Sequence, residues 1–210
     1  MTDTSPEQYW EGFYQERGQV WSGRPNPLLV REVASLAPGT ALDLGCGEGA
    51  DAIWLAKQGW RVTAVDIAAT ALRRAAARAT EAGVRDRIVW ERHDLSQSFP
   101  AGLFDLVSAQ FFHSPVAVAD EREKILRRAA DAVAPGGVLL IVGHAGWPSW
   151  HEHPPFAHHF PTAPEVVDSL DLPPDRWQVE VTDLVVHDLT GPEGQPGRHT
   201  DSVLRIRRTR

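Results

Sequence analysis

The sequence predicts an α/β protein with a doubly wound, mainly parallel sheet of seven strands, helices on both faces and a C-terminal antiparallel hairpin. Two observations lead to this prediction. Short apolar, β-branched runs alternate with segments of helical period, an order typical of parallel sheets covered on both faces. Two long strand-like runs, "WQVEVTDLVVHDL" and "TDSVLRIRR", then end the chain with no helical segment between them, which favours a hairpin.

Each element has its own local signal. The five parallel strands are predicted at "TALDLG", "RVTAVD", "RIVWER", "FDLVSAQ" and "GVLLIVGH". Helices are predicted over residues 50–58, 69–82 and 119–134, with "APGG" ending the third helix and leading into the fifth strand. "HDLSQSFPAGL" is expected to be a loop because it is short and rich in helix breakers, and "TAPEVVDSL" carries a helix capping box. "TGPEGQPGRH" predicts a long loop inside the final hairpin.

Composition narrows the class of protein. The net charge is −7 and the arginines are scattered, which argues against binding to nucleic acid. No apolar run has the roughly 20 residues of a membrane helix, and the polar N-terminus lacks the pattern of a signal peptide. We therefore expect a cytoplasmic protein without a membrane partner. Cys46 is the single cysteine, so the chain has no internal disulfide and no multi-cysteine metal site.

A glycine-rich turn follows the first predicted strand. Gly45, Gly47 and Gly49 stand at alternate positions in "DLGCGEG", where positive φ angles and bare N–H groups allow a ligand to approach the backbone. Asp66 ends the second strand, 19 residues after Gly47, where a carboxylate can accept both hydroxyls of a ribose. The turn and Asp66 together predict a nucleoside ligand at the carboxyl ends of the strands.

The spacing of the turn favours one kind of nucleoside. A dinucleotide fingerprint runs G-x-G-x-x-G, whereas here the third glycine comes one residue early. Asp43 and Glu48 stand beside the turn, and two carboxylates suit a ligand with cationic groups better than an anionic pyrophosphate. We therefore expect a cationic nucleoside, and a nicotinamide-dependent oxidoreductase is disfavoured.

Four motifs, "DLGCGEG", "AVD", "HDL" and "APGGVLLIV", resemble those of the class I S-adenosylmethionine-dependent methyltransferases in order and spacing. The resemblance covers residues 41–143 and implies a Rossmann-like methyltransferase fold with S-adenosyl-L-methionine as cofactor. It also implies roles for individual residues: the methionine part near the turn and Gln110, the ribose at Asp66 and the adenine at the next two strand ends. The cofactor-binding residues implied in this way are Asp43, Gly45, Cys46, Gly47, Gly49, Asp66, Ile67, Asp94, Leu95 and Gln110.

We expect a single domain over residues 1–210 with four parts. Residues 1–38 are an aromatic N-terminal lid segment, residues 39–143 the cofactor-binding core, residues 144–162 a substrate-side loop, and residues 163–210 the last helix and hairpin. The resemblance to small-molecule methyltransferases, including those of thiopurine and tellurite type, places Trp21 and Arg24 of the lid against cofactor or substrate. The alternative is a helix that only packs its aromatic face on the core. Cys46 suits the turn as a small residue rather than as a nucleophile.

Five of the nine histidines fall between His144 and His159. The segments "HEH" and "HH" suggest a metal site, but alternate loop residues point apart and no nearby Asp or Cys completes a ligand set, so we expect no metal. His113 and His144 follow the fourth and fifth strands, next to the expected position of the methyl group. Either is a candidate catalytic base, and the alternative is that both are hydrogen-bonded structural residues.

The expected activity is transfer of a methyl group to an O, N or S atom of a small molecule by in-line displacement, with a small-molecule acceptor as the partner. Detoxifying methylation of thiols or metalloids such as tellurite is a close alternative. A non-catalytic regulator that binds a nucleotide or a metal is an alternative of another class. The fourth strand is followed by "AQFFHS" rather than by an "NPPY"-type motif, which disfavours methylation of base amino groups.

Overall fold

The computed structural model describes residues 5–151 and 158–209, and its centre is a seven-stranded sheet in the order β3-β2-β1-β4-β5-β7-β6. β7 runs antiparallel to both of its neighbours, while β1 to β5 pair in parallel. The predicted fold class is therefore confirmed. The strands are β1 (Thr40–Leu44), β2 (Arg61–Asp66), β3 (Ile88–Arg92), β4 (Phe104–Gln110), β5 (Val133–His144), β6 (Trp177–Thr190) and β7 (Pro196–Arg208).

Helices cover both faces of the sheet. On one face α5 (Glu121–Asp131) and α6 (Ala163–Leu170) pack their apolar sides, and on the other α2 (Pro27–Val33) and α3 (Ala50–Lys57) do so. The predicted capping box of α6 is present, because Thr162 and Glu165 hydrogen-bond to each other's backbone N–H. α1 (Pro6–Gln15) lies beside α4 (Ala69–Glu81). Among the described residues, no helix has the length and apolar character needed to span a membrane.

The chain around "APGG" differs from the prediction. α5 ends at Asp131 rather than at residue 134, and β5 begins at Val133, four residues before the predicted start. Val133 pairs with Phe104 and Val138 pairs with Leu106, so the intervening residues form an irregularity inside the strand. Gly136 has a φ of 82°, which explains how a breaker sequence can lie within β5.

The prediction of a long loop in the final hairpin is wrong. β6 continues to Thr190 and β7 already begins at Pro196, so a short turn joins them. The Gly191 N–H donates to the Gln195 carbonyl at 2.8 Å and closes this turn. His199 is consequently a strand residue, paired across the hairpin with His187.

The strand ends define where a ligand can bind. β1, β2, β4 and β5 run in the same direction, so residues that follow them meet at one edge of the sheet. The antiparallel partner of His144, at the end of β5, is Asp201 in the middle of β7. The closing hairpin therefore contributes side chains to the same edge as the glycine-rich turn.

Candidate cofactor and acceptor site

A cavity of about 1180 Å³ lies at the carboxyl edge of the sheet. It is large enough to hold a nucleoside cofactor and a second small molecule together. Asp43, the one predicted site residue that does not line the cavity, lies buried at the end of β1. The predicted site residues that line it are Trp21, Arg24, Gly45, Cys46, Gly47, Gly49, Asp66, Ile67, Asp94, Leu95, Gln110, His113 and His144.

The glycine-rich turn adopts the predicted conformation. Gly45, Gly47 and Gly49 have φ angles of 66°, 52° and 78°, in the left-handed region that favours glycine. A Cβ atom on Gly47 would lie 2.9 Å from the hydroxyl of Tyr14, so a side chain there would collide with the lid segment. The turn is thus a bare backbone cradle that opens on the cavity.

A buried carboxylate without a cation lies next to this cradle. The Oδ2 atom of Asp43 is buried and has no hydrogen-bond partner among the described residues. Burial raises the pKa of Asp43 well above its usual range, and the charges of Asp51 and Asp66 raise it further. Burial also raises the pKa of Asp51 to about 6. Three neighbouring carboxylates with one unpaired oxygen fit a ligand that brings an ammonium group.

Asp66 and Asp94 present carboxylates at the ends of β2 and β3. Asp66 accepts the Gly47 N–H on Oδ2 and the Ala68 N–H on Oδ1, both at 2.9 Å, which fixes its side chain against the turn. Asp94 accepts the N–H and the hydroxyl of Ser96 on Oδ1. Each carboxylate oxygen has a second lone pair, so both groups can accept further hydrogen bonds from a ligand.

Contrary to what the sequence suggested, Glu48 does not offer an unpaired negative charge to a cationic ligand. It is buried, but Arg74 and Arg78 of α4 lie 3.1 and 3.5 Å from its carboxylate and compensate its charge. The backbone N–H groups of Val20 and Trp21 also donate to it at 3.2 Å. Glu48 therefore ties the lid segment to the core, and its charge is not left over for a ligand. The two arginines were missed because their spacing along α4 says nothing about where Glu48 lies.

The lid segment, residues 5–38 of the described chain, folds over the turn. The Trp21 indole N–H donates to the Tyr14 hydroxyl at 3.1 Å, directly above Gly47. The Asn26 side-chain amide donates to Gln110 at 2.8 Å, which connects the lid to the end of β4. Trp21 and Arg24 remain exposed at the cavity. The alternative interpretation of the lid, a helix that packs its aromatic face on the core, also holds in part, because α1 packs aromatic side chains on α4.

Cys46 stands inside the turn with its thiol beside acidic groups. Burial and the charges of Asp66 and Asp43 raise the pKa of this thiol well above its usual range. A neutral thiol is a weak nucleophile, which agrees with the interpretation of Cys46 as a small residue of the turn.

The opposite wall of the cavity carries imidazoles. His144 Nδ1 lies 2.9 Å from Asp201 Oδ1, and its ring lies 4.5 Å from that of Phe111 and 5.7 Å from that of His113. Burial lowers the pKa of His113, and the neighbouring His144 and Arg122 lower it further, which favours the neutral imidazole. The structure brings the two candidate catalytic histidines together.

Sequence reasoning missed Asp201 and His187 on this wall, and His199 beside Asp201. His199 and Asp201 stand two residues apart on β7 and so point to the same face, a signal that was available in "HTD". Of the predicted histidine-rich loop, residues 152–157 lie outside the described residues. Within the part that is described, His144, His199 and Asp201 form a group whose ligand atoms lie within 4.8 Å of one another.

The sheet order, the glycine-rich turn and the strand-end carboxylates are those of the Rossmann-like methyltransferase fold. Residues 41–137 match the family described as a methyltransferase domain. This match agrees with the resemblance of the four motifs to the class I S-adenosylmethionine-dependent methyltransferases.

Two curated relatives and one solved structure illustrate the similarity. A 2-heptyl-1-hydroxyquinolin-4(1H)-one methyltransferase of Mycobacteroides abscessus is 30% identical over 61% of this chain and 58% of its own length. A ribosomal RNA small subunit methyltransferase C of Alcanivorax borkumensis is 30% identical over 53% of this chain and 34% of its own length. The chain thus spans less than two thirds of either relative.

The solved structure comes from work on conversion of a disulfide bond into a thioacetal group during echinomycin biosynthesis. It superposes with a TM-score of 0.72 at 24% identity, covering 97% of this chain and 92% of that one. At this identity the likeness concerns the fold.

Proposed function

We propose that this protein transfers the methyl group of S-adenosyl-L-methionine to an O, N or S atom of a small molecule. The observation that carries the proposal is the unpaired, buried Oδ2 of Asp43, beside a bare glycine cradle at one end of a large cavity. A sulfonium nucleoside with an amino-acid tail supplies the missing cation, whereas an anionic dinucleotide would add negative charge to three carboxylates.

The chain's own residues would bind this cofactor in three places. Asp43 balances the ammonium, and Gly45, Gly47 and Gly49 let the methionine part lie against the backbone. Asp66 accepts the ribose hydroxyls with the lone pairs that its two backbone contacts leave available. The remaining contacts are assigned to Ile67 and Leu95 beside the adenine, Asp94 at its amino group, and Cys46, Gln110, Trp21 and Arg24 toward the methionine end.

The bound cofactor supplies a positively charged sulfur from which a methyl group is displaced in line. The protein contributes orientation and exclusion of water, because Trp21 and Tyr14 close the space above the turn. When a hydroxyl or thiol is methylated, the acceptor loses its proton. His113 and His144 are the proposed catalytic residues, since both line the acceptor side of the cavity and either can accept that proton.

The acceptor is proposed to be small. The lid covers the turn, and a net charge of −7 disfavours binding to a polyanion, which speaks against ribosomal RNA despite the similarity to an RNA methyltransferase. Similarity to a 2-heptyl-1-hydroxyquinolin-4(1H)-one methyltransferase favours an acceptor of the hydroxyquinolone type. Thiol or metalloid methylation is the second candidate, and a non-catalytic regulator is the candidate of a different class.

Calorimetry with S-adenosylhomocysteine tests the cofactor part of the proposal. We expect the wild-type protein to bind it and not to bind NAD⁺. Asp43→Asn should weaken binding by about 10- to 100-fold, because it removes the buried negative charge that the ammonium group of the ligand would balance. Asp86→Asn, at an exposed site in the turn before β3, is the matched control and should leave the affinity unchanged. Binding of NAD⁺ without S-adenosylhomocysteine would refute the proposal.

An acceptor panel tests the rest of the proposal. Phenols and hydroxyquinolones, thiols, tellurite and a ribosomal RNA fragment should be incubated with the protein and methyl-labelled S-adenosylmethionine. We expect label to appear in a phenolic or hydroxyquinolone acceptor first. Transfer confined to tellurite or thiols would select the second candidate. Binding of the cofactor with no transfer to any acceptor would favour the regulator.

A further inference from the structure

Side chains of the types that ligate metals form a compact group where β5 and β7 neighbour each other. His144 ends β5, its direct partner Asp201 lies on β7, and His199 stands two residues before Asp201 on the same face of that strand. Their ligand atoms lie within 4.8 Å of one another. Two imidazoles and one carboxylate are a donor set that divalent transition metals prefer.

The hydrogen bond of His199 fixes which of its nitrogens faces this group. Its Nε2 lies 2.9 Å from the Gly146 carbonyl, which can only accept, so Nε2 carries the proton. In the neutral ring Nδ1 is then a lone pair, and it lies 4.0 Å from Asp201 Oδ1. The His199 side chain is 10% exposed and that of Asp201 5% exposed. An imidazole nitrogen and a carboxylate oxygen are both atoms that ligate divalent transition metals, and here both are buried and face each other.

The same hydrogen bond is the usual support for a metal-binding histidine. A ligating imidazole commonly donates its second ring N–H to a carbonyl or carboxylate, which orients the ring and fixes its tautomer. Gly146 provides this carbonyl for His199. A third imidazole, that of His187, lies 3.6 Å from Asp201 Oδ2 and faces His199 across the hairpin.

We propose that His144, His199 and Asp201 bind a divalent transition-metal ion of the zinc type at the acceptor end of the cavity. The ion gives the buried carboxylate its counter-charge, and the ring proton of His144 moves from Nδ1 to Nε2 when Nδ1 becomes a ligand. Of the two proposed catalytic histidines, His113 then accepts the proton of the methyl acceptor. His144 and Asp201 line the cavity, so the ion keeps a position open toward it. In a step that rests on the proposed function, the hydroxyl oxygen of the methyl acceptor binds at that position, and the ion lowers the pKa of this hydroxyl.

Metal binding can be measured without any acceptor. Untagged protein is treated with a chelator, desalted and titrated with Co²⁺ by visible absorption and with Zn²⁺ by calorimetry. We expect one ion per chain, with an absorption spectrum typical of nitrogen and oxygen ligands. His199→Ala and Asp201→Asn should each weaken binding at least tenfold. His159→Ala removes an exposed histidine near α6 and should bind metal like the wild type.

Two controls separate the outcomes. The affinity for S-adenosylhomocysteine is measured on every variant. A variant that keeps this affinity is folded, so that a weaker metal affinity reflects the metal site alone. If Asp201→Asn loses this affinity, His199→Ala and His144→Ala carry the comparison. Absence of a Co²⁺ spectrum in the wild type, or equal binding by wild type and His199→Ala, would overturn the metal site and leave His144–Asp201 a hydrogen-bonded pair. Loss of S-adenosylhomocysteine binding by the wild type would instead count against the proposed function.

Discussion

The two ends of the cavity each have a buried carboxylate, but the carboxylates differ in their neighbouring groups. At the cofactor end, around the glycine-rich turn, Asp43 keeps one oxygen without a partner and has Asp51 and Asp66 as neighbours. At the acceptor end, around Asp201, three imidazoles surround the carboxylate within 4.0 Å. The first arrangement is electrostatically incomplete until a cationic ligand binds. The second already has imidazole nitrogens as neighbours of its carboxylate.

This difference implies that stability and ligand binding are linked more strongly at the cofactor end. Burying a carboxylate costs free energy that only a cation or hydrogen bonds can offset, and no described side chain offers a hydrogen bond to Oδ2 of Asp43. A ligand with an ammonium group therefore stabilises the fold by completing the site. At the acceptor end, the imidazoles hold Asp201 in place before an acceptor arrives, as a preorganised site requires.

The largest expected effect comes from filling the cradle of the cofactor end. A Cβ on Gly49 would lie 2.6 Å from the Trp90 ring and 2.8 Å from Ala75, at a φ of 78°. We expect Gly49→Ala to lower the free energy of unfolding by about 2–4 kcal/mol, through backbone strain and overpacking together. Urea denaturation measures this change.

Gly83→Ala is the matched control for steric crowding. Gly83 also has a positive φ, 71°, but a Cβ there would meet nothing within 4 Å. It should cost only the backbone strain, about 1 kcal/mol. Equal losses for the two variants would mean that the cradle is not tightly packed and would weaken the contrast between the two ends.

The second-largest expected effect is a change of cofactor affinity with pH. Burial raises the pKa of Asp51 to about 6, so in the folded protein this group holds its proton from its ordinary range near 4 up to about pH 6. In that range the folded state binds more protons than the unfolded state, and stability contributed by Asp51 falls as the pH rises. A bound ammonium group offsets this loss once the carboxylates at the cofactor end are ionised.

The affinity for S-adenosylhomocysteine should therefore be higher at pH 8 than at pH 5.5. Each pH unit below about 6 should weaken binding by up to about tenfold, because a proton must be displaced from a carboxylate. Calorimetry across this range measures the change, with Asp51→Asn as the variant that should flatten the profile. An affinity that rises toward low pH would contradict the assignment of an ammonium group to this end.

The cofactor end could be predicted from sequence because its signals are local. The turn and Asp66 lie within one strand-turn-helix-strand stretch, and the positive φ angles at Gly45, Gly47 and Gly49 follow from residue type. Glu48 shows the limit of this approach, since its charge is cancelled by two arginines of α4. Side-chain pairing across elements depends on how helices pack, which residue spacing does not determine.

The acceptor end depends on long-range register. His144 and Asp201 are 57 residues apart and meet only because β5 and β7 pair in one particular alignment. The glycines and prolines of "TGPEGQPGRH" predicted a long loop that included His199. His199 was therefore not assigned to the strand, and its position on the same strand face as Asp201 was not predicted. Turn residues predict that a chain reverses, but they do not determine how far the flanking strands extend.

The smallest effect is expected where the lid reaches the cofactor end. Arg24 lines the cavity but is exposed, so a contact with the methionine carboxylate would be partly screened by water. We expect Arg24→Ala to weaken S-adenosylhomocysteine binding by about threefold to tenfold, corresponding to about 0.7–1.4 kcal/mol. Arg85→Ala, an exposed arginine before β3, serves as control and should leave the affinity unchanged. An unchanged dissociation constant for Arg24→Ala would exclude the contact, and recognition of the cofactor would then depend on the carboxylates and the turn, with the lid acting through Trp21 and Tyr14 alone.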